Sequence, residues 1–195
     1  MPTASASSAS SASSSNRTPP AAIVFKANAA TKYAVVLAQT AAVLLRRDFA
    51  APFIVVGSIG SAFAAHALKK LINEQRPEGS PFSDPGMPSS HALVATFAAT
   101  AWAVQLGVRP LPTTLLACSA LTVSSLRVIT GYHTLAQIAV GTLLGLGGAV
   151  GWMRLGSAIT RGVAMPVATK AIYATYLVGS FYFVKDKISK WSTQK

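Results

Sequence analysis

The sequence predicts an all-α protein, a polytopic membrane bundle of about five transmembrane helices. The composition indicates this class because 51% of the residues are hydrophobic and only 11% are charged. The mean hydropathy is accordingly positive, at +0.46. The apolar residues gather in long runs that approach the length needed to cross a bilayer. The predicted spans are residues 49–68, 92–108, 111–126, 134–152 and 163–184.

The first part of the chain has a different composition. Residues 1–32 are rich in Ser, Ala, Thr and Pro and contain basic residues but no acidic one. Such a low-complexity segment is expected to be disordered, and its basic, acid-free character is typical of an organelle transit peptide. A cytosolic tail is the alternative. The membrane domain is then predicted over residues 33–184, opening with a short apolar run, and a basic tail over 185–195.

The charge of the chain limits its partners and its chemistry. The net charge is +12, but the basic residues lie at the ends of apolar runs and in the terminal segments rather than beside interleaved aromatic residues. We therefore expect no nucleic-acid partner, and anionic lipid or phosphate groups explain the charge better. Cys118 is the single cysteine, which excludes an intrachain disulfide framework. The five acidic residues are scattered, which disfavours an Asp nucleophile or a two-metal site.

The residues with chemical potential cluster around a polar loop, residues 69–89. The loop ends in Pro88-Ser89-Ser90-His91, which suits the first turn of a helix, and a helix N-terminus attracts anions. Further basic and imidazole groups lie upstream and downstream of this helix start. The candidate site residues are Lys69, Arg76, Ser89, Ser90, His91, Arg127, His133 and Gln137.

The predicted topology places these residues on one side of the membrane. The chain enters the second span at the end of the loop 69–89, crosses, turns at 109–112 and returns at 127–133. The polar groups of both segments should therefore share one membrane face. The distribution of the remaining Lys and Arg residues does not decide which compartment that face meets.

Cations and histidines on one face are what phosphoryl transfer requires. Fixed cations match the charge on the phosphoryl oxygens, and Lys69, Arg76 and Arg127 can supply them. Two imidazoles can serve as nucleophile and general acid. Singly, each cation is more simply a snorkelling helix-end residue, and each histidine is equally well a polar interface residue. Their joint placement favours a phosphate pocket.

Three ordered blocks carry a resemblance to a known family. They are Lys69, six residues, Arg76-Pro77; then Pro88-Ser89-Ser90-His91; then Arg127, five residues, His133. Together they resemble the type 2 phosphatidic acid phosphatases, or lipid phosphate phosphatases, whose core is haloperoxidase-like. The match covers about residues 49–152 by organisation.

The resemblance implies a role for each residue. His133 would attack phosphorus and form a phosphohistidine, and His91 would protonate the leaving alcohol and later activate water. Lys69, Arg76 and Arg127 would hold the phosphoryl oxygens, with Ser89 and the amide of Ser90 assisting. The family uses no metal or other cofactor.

Two positions depart from the family pattern. Leu126 stands where the family has Ser, and Gln137 stands where it has Asp. On a helix, His133 and Gln137 would share a face, so the Gln carbonyl can still accept a hydrogen bond from the imidazole. A neutral amide brings no negative charge, which predicts lower basicity at His133 with its orientation retained. The exchange also gives some weight to a pseudoenzyme.

Gln137 is nonetheless found in two branches that the chain resembles. The run 86–91 with Tyr132-His133-Thr134 resembles the dolichyl diphosphatases, and the longer run 83–92 with Leu126-Arg127-Val128 resembles the plastid epsilon/gamma-type lipid phosphate phosphatases. The sequence therefore predicts a phosphatidate phosphatase of the chloroplast inner envelope. The alternatives are a polyprenyl (dolichyl) diphosphatase, in the endoplasmic reticulum membrane, and a non-catalytic membrane scaffold or transporter. The oligomeric state is not predicted.

Overall fold

The computed structural model describes residues 22–192, and this part of the chain is formed by six helices. The prediction of an all-α class is confirmed. Residues 73–89 form the longest connection, and the other helices follow one another through short turns. The helices are α1 (Ala22–Arg46), α2 (Ala50–Ile72), α3 (Ser90–Gln105), α4 (Pro110–Ile129), α5 (Leu135–Gly162) and α6 (Met165–Ser192).

Three helices of the described range, α2, α4 and α5, are long and apolar enough to cross a membrane. They contain the predicted span 111–126 and all but the first residue of the predicted spans 49–68 and 134–152. The span predicted over residues 92–108 corresponds to α3, which has only 16 residues. The total of about five spans stays a prediction.

The first helix begins earlier than predicted. Residues 22–32 belong to α1 rather than to a disordered leader, and they continue without a break into the apolar run that starts at residue 34. Asn28 in this stretch is buried, with 4% of its surface exposed. The structure therefore differs from the disorder expected of residues 22–32, because tertiary contacts of α1 outweigh the low complexity of its sequence, and the leader boundary at residue 32 stays a prediction. Residues 1–21 lie outside the described range, and the transit peptide stays a prediction.

α3 lies at the centre of the bundle, packed against α2, α4 and α5. Glycines on α5 allow the closest of these approaches. A Cβ atom at Gly141 would lie 2.7 Å from the Ser89 carbonyl oxygen, and one at Gly145 would lie 2.5 Å from that of Leu93. At Gly148 the packing is looser, since an added Cβ would lie 3.7 Å from the Phe97 ring, which is an ordinary contact distance.

Aromatic residues close the end of the bundle that lies away from the polar loop. Phe53 on α2 stacks on Trp152 of α5 with the ring centroids 4.6 Å apart. The indole Nε1 of Trp152 also donates to the Phe53 carbonyl oxygen at 2.9 Å. Trp102 on α3 donates similarly to the Gln39 side chain on α1, at 2.9 Å. These contacts fix the helices whose opposite ends form the site.

Four helix ends meet at the other end of the bundle: the ends of α2 and α4 and the starts of α3 and α5. Asn73 ends α2 in the left-handed conformation, with φ of 51°, and the chain then turns into the loop 73–89. Ser89 caps α3 and Thr134 caps α5 through their side chains. Both hydroxyl residues suit this position because their oxygen satisfies an N–H group of the first turn.

Candidate active site

The first and third sequence blocks meet at Arg76 and His133. The Arg76 Nη1 lies 3.3 Å from the His133 Nε2 and donates to the Tyr132 carbonyl oxygen at 3.0 Å. These residues are 57 positions apart in the chain. The loop after α2 and the turn before α5 therefore form one polar site.

Asp84 joins the two cations of the first block. Its carboxylate accepts from Lys69 Nζ at 3.0 Å and from Arg76 Nη2 at 2.9 Å through each oxygen. The pKa of Asp84 is affected first by burial, which raises it, but the hydrogen bonds and charges of Lys69 and Arg76 outweigh burial and lower it. Asp84 is therefore an ionised carboxylate that forms ion pairs with two of the groups expected to bind phosphate.

Arg127 is buried, with 7% of its surface exposed. Its Nη1 donates to the Asn28 Oδ1 at 3.3 Å, and its guanidinium carbon lies 4.7 Å from the centroid of the Tyr132 ring. The Arg127 Nε has no hydrogen-bond partner among the described residues. A buried donor without an acceptor carries an energetic cost that a bound anion would remove.

The second block forms the start of α3. The Ser89 Oγ accepts from the Ala92 N–H at 3.5 Å, and the Ser89 N–H donates to the Gln137 carbonyl oxygen at 3.0 Å. Ser89 is thus fully buried, as the N-cap of α3 and as a link to α5. Its hydroxyl proton is still available to another acceptor.

His91 is the second residue of α3 and lies beside the same group of charges. Arg127, His133, Lys69 and Arg76 are all close enough for their charges to act on its imidazole. With Ser90 it also borders a cavity of about 230 Å³, whose other lining is mainly apolar and comes from α1, α2, α3 and α4. His91 therefore separates a cationic region from an apolar one.

Gln137 holds the other side of the His133 ring. Its Oε1 lies 3.0 Å from the His133 Nδ1 and also accepts from the Thr134 N–H at 3.3 Å. Its Nε2 donates to the Glu74 Oε1 at 3.0 Å and to the Gln75 carbonyl oxygen at 2.8 Å. Two acceptors fix the nitrogen of the amide and thereby its oxygen, so the His133 Nδ1 must carry the hydrogen. The His133 Nε2 is then the basic nitrogen, and it faces Arg76.

The contact between His133 and Gln137 arises differently from the expected shared helix face. His133 precedes α5, and Gln137 is the third residue of that helix. Thr134 and Gln137 form a capping box, in which each side chain accepts from the backbone N–H of the other residue. The helix start therefore aims the Gln137 oxygen at the imidazole.

The pKa of His133 is lowered from 6.5 to about 4. Burial is the largest cause, and the charges of Arg76, Arg127 and Lys69 act in the same direction. The hydrogen bond to Gln137 opposes the shift without cancelling it. The ring is thus neutral at physiological pH, as a nucleophile must be.

A larger cavity lies elsewhere. It measures about 530 Å³ and is lined mainly by apolar side chains of α1, α3 and α4, with none of the predicted site residues among them. We place the chemistry at the polar cluster because cations and imidazoles converge there. Among residues 22–192, no three His, Cys, Asp or Glu side chains are grouped to bind a metal ion.

Three partners of the site were not identified from the sequence. In the sequence, Asp84 and Glu74 are two of the scattered acidic residues, and Asn28 falls within the predicted leader. The position of Glu74 and Asp84 in the same loop as Lys69 and Arg76 was a usable signal. Asn28 carried none, because its contact with Arg127 spans 99 residues.

Known proteins are similar to this chain in sequence or in fold. It is 32% identical over 141 residues to the lipid phosphate phosphatase epsilon 1, chloroplastic, of Arabidopsis thaliana, which covers 69% of this chain and 50% of that protein. It is 35% identical over 127 residues to the epsilon 2 protein of the same organism, covering 61% and 44% respectively. The chain therefore spans about half the length of the curated relatives it matches.

A solved structure shares the fold. It is the crystal structure of a transmembrane PAP2 type phosphatidylglycerolphosphate phosphatase from Bacillus subtilis. The TM-score is 0.59 and the identity 17%, over 72% of this chain and 78% of that one. At this identity the likeness concerns the fold alone, and with the apolar helices it indicates an integral membrane protein. The model of the PAP2 superfamily matches residues 49–161, which include every predicted site residue, and the chain belongs to that superfamily.

Proposed function

We propose that the chain is a metal-independent phosphatidate phosphatase of the chloroplast inner envelope, which forms diacylglycerol and phosphate through a phosphohistidine. One observation carries this proposal. The His133 Nε2, left without a hydrogen by the Gln137 contact on Nδ1, faces a guanidinium at 3.3 Å. A basic nitrogen beside a fixed cation is suited to attack a phosphoryl group.

In the first step the Nε2 of His133 bonds to phosphorus, and the bond from phosphorus to the glycerol oxygen breaks. Lys69, Arg76 and Arg127 hold the phosphoryl oxygens and offset the charge that they carry in the transition state. The unpaired Nε of buried Arg127 supports this assignment, since it is a donor in need of an acceptor. The Ser89 hydroxyl and the N–H groups of the first turn of α3, including that of Ser90, complete the anion site.

His91 acts as the general acid and then as the general base. It gives a proton to the leaving glycerol oxygen, and it later takes one from the water that cleaves the phosphohistidine. The mainly apolar cavity beside His91 supports a lipid leaving group on that side of the phosphorus. A soluble phosphate ester has no acyl chains to pack against this apolar surface.

A polyprenyl (dolichyl) diphosphate is the second candidate substrate, because a single-chain lipid would also place its apolar part beside His91. The names of the Arabidopsis relatives support a lipid phosphate as the substrate and the chloroplast as the location. A non-catalytic membrane protein is the third candidate, and activity measurements separate it from both enzymes.

The test is phosphate release by the purified full chain from a panel of phosphatidate, lysophosphatidate and polyprenyl diphosphate in detergent. The wild type should prefer phosphatidate, and His133→Ala should release no phosphate. His66→Ala is the matched control, because His66 is an exposed histidine of α2, and it should retain wild-type turnover. Equal turnover of His133→Ala and the wild type would exclude the phosphohistidine.

Two further measurements test the remaining parts of the proposal. EDTA should leave turnover unchanged, and a loss of activity that magnesium restores would contradict metal independence. A reporter fused after residue 32 should enter isolated plastids, and import that persists after deletion of residues 1–32 would exclude the transit peptide.

A further inference from the structure

Glu74, Gln137 and His133 form a continuous chain of hydrogen bonds. The Glu74 Oε1 accepts from the Gln137 Nε2 at 3.0 Å, and the Gln137 Oε1 lies 3.0 Å from the His133 Nδ1. Gln137 is fully buried. A carboxylate is therefore connected to the imidazole through one neutral amide.

The amide is held in a single orientation. Its nitrogen meets two acceptors, Glu74 and the Gln75 carbonyl oxygen, and its oxygen meets two donors, the Thr134 N–H and the imidazole. A flipped amide would place its oxygen against both acceptors, which is unfavourable in a buried site. The backbone of Gly86 packs closely on the Gln137 side chain, since a Cβ added at Gly86 would overlap it.

The charges around His133 indicate what the Glu74 carboxylate contributes. The imidazole gains positive charge as its Nε2 bonds to phosphorus, while Lys69, Arg76 and Arg127 already act on it unfavourably. Asp84 is engaged by two of these cations, so it cannot serve the ring directly. A negative charge hydrogen-bonded to the far end of the amide polarises the amide oxygen toward the ring.

We propose that Glu74 is a positioning residue that acts on His133 through the Gln137 amide, in place of a carboxylate in direct contact with the ring. The proposal rests on the proposed phosphatase function. No proton passes through the amide: Nδ1 keeps its hydrogen, and the charge of Glu74 stabilises the imidazolium character of the phosphohistidine transition state. The backbone of Glu74 has a separate structural part, since its carbonyl oxygen accepts from the Gly86 N–H at 2.6 Å.

Glu74→Gln tests the charge while it keeps an acceptor for Gln137. The kcat on a short-chain phosphatidate should fall about tenfold with KM unchanged, because the charge acts in the transition state rather than on the bound substrate. Glu78→Gln is the matched control. It removes the same charge from an exposed position of the same loop and should leave both constants at wild-type values.

Inhibition by two anions separates an electrostatic role from a merely structural one. Vanadate forms five-coordinate complexes that resemble the transition state, so Glu74→Gln should weaken its inhibition by about the same tenfold factor. Inorganic phosphate tests only the anion site, and its inhibition constant should not change. If Glu74→Gln weakened inhibition by both anions to the same extent, or changed only KM, the proposal would be overturned.

A double-mutant cycle checks that the effect passes through the amide. In a Gln137→Met background, which removes all four side-chain hydrogen bonds of the amide, Glu74→Gln should cause no further loss of kcat. An undiminished tenfold loss in that background would overturn the relay. If the wild type hydrolyses lipid phosphates and Glu74→Gln matches it, the relay fails alone. If the wild type releases no phosphate, the proposed function fails and the relay with it.

Discussion

Replacing Asp84 by asparagine is expected to strengthen phosphate binding. The carboxylate of Asp84 accepts hydrogen bonds from Lys69 Nζ and Arg76 Nη2, the donors that a phosphoryl group needs. An incoming phosphate must displace it. Asp84→Asn removes the competing charge, while the cations keep backbone acceptors, the carbonyl oxygens of Pro85 at 2.6 Å and of residue 84 at 2.9 Å.

The size of the effect follows from exposure. A hydrogen bond to a charged group contributes about 1.5–3 kcal/mol in a buried setting, whereas an exposed ion pair contributes about 0–1 kcal/mol. The Asp84 side chain is 50% exposed, but those of Lys69 and Arg76 are only 6% and 8% exposed. We therefore take about 1 kcal/mol, which corresponds to about fivefold tighter phosphate binding.

The assay is the inhibition constant of inorganic phosphate, measured with a soluble short-chain phosphatidate as substrate. Asp48→Asn is the matched control, because Asp48 pairs with Arg46 in the turn before α2, at the other end of that helix from the site. It should leave the inhibition constant unchanged. A weaker or equal phosphate affinity in Asp84→Asn would refute the competition and show that Asp84 instead holds the cations in their binding positions.

Three further expectations follow from the geometry of the site and of α5. Because the pKa of His133 is lowered to about 4, its ring should take up a proton only below that pH and carry hydrogen on Nδ1 above it. Ring ¹⁵N NMR of the ligand-free protein would show this, and a titration midpoint near 6.5 would contradict it. Asn28→Ala removes the acceptor 3.3 Å from the Arg127 Nη1 and should raise KM about fivefold, whereas an unchanged KM would show that Arg127 needs no such partner. Gly145→Ala should lower stability by about 1–3 kcal/mol, measured as a lower melting temperature in detergent, because its Cβ would meet an α3 backbone oxygen at 2.5 Å. Gly147 has open space around it, so Gly147→Ala is the control, and an equal loss of stability in that variant would contradict the packing argument.

Local patterns in the sequence predict the start of α3 and place Arg76 and His133 at one end of the bundle. Ser89 and Thr134 cap their helices as Ser and Thr commonly do. The spacing of the spans also predicted that Arg76 and His133 lie at the same end of the bundle. The capping of α3 depends on near neighbours alone, and the proximity of Arg76 and His133 depends on the order of the helices along the chain.

The hydrogen-bond and ion-pair partners of the site residues could not be predicted from such local patterns. Gln137 was expected to meet His133, but its second contact, with Glu74, joins positions 63 residues apart. Nothing in the sequence near either residue indicates this pair. Asp84 shows a related limit, because a turn-forming Asp-Pro-Gly sequence and an ion-pairing carboxylate look alike until the fold places the cations.

The early start of α1 has a consequence for maturation. Asn28 supplies the acceptor for Arg127 and lies only a few residues after Ala22, where the helix begins. A protease that trimmed an imported precursor at residue 32 would remove this acceptor together with the first turns of α1. Under the proposed plastid import, processing that keeps the anion site intact must therefore cut upstream of Asn28, and mass spectrometry of the mature N-terminus would test this.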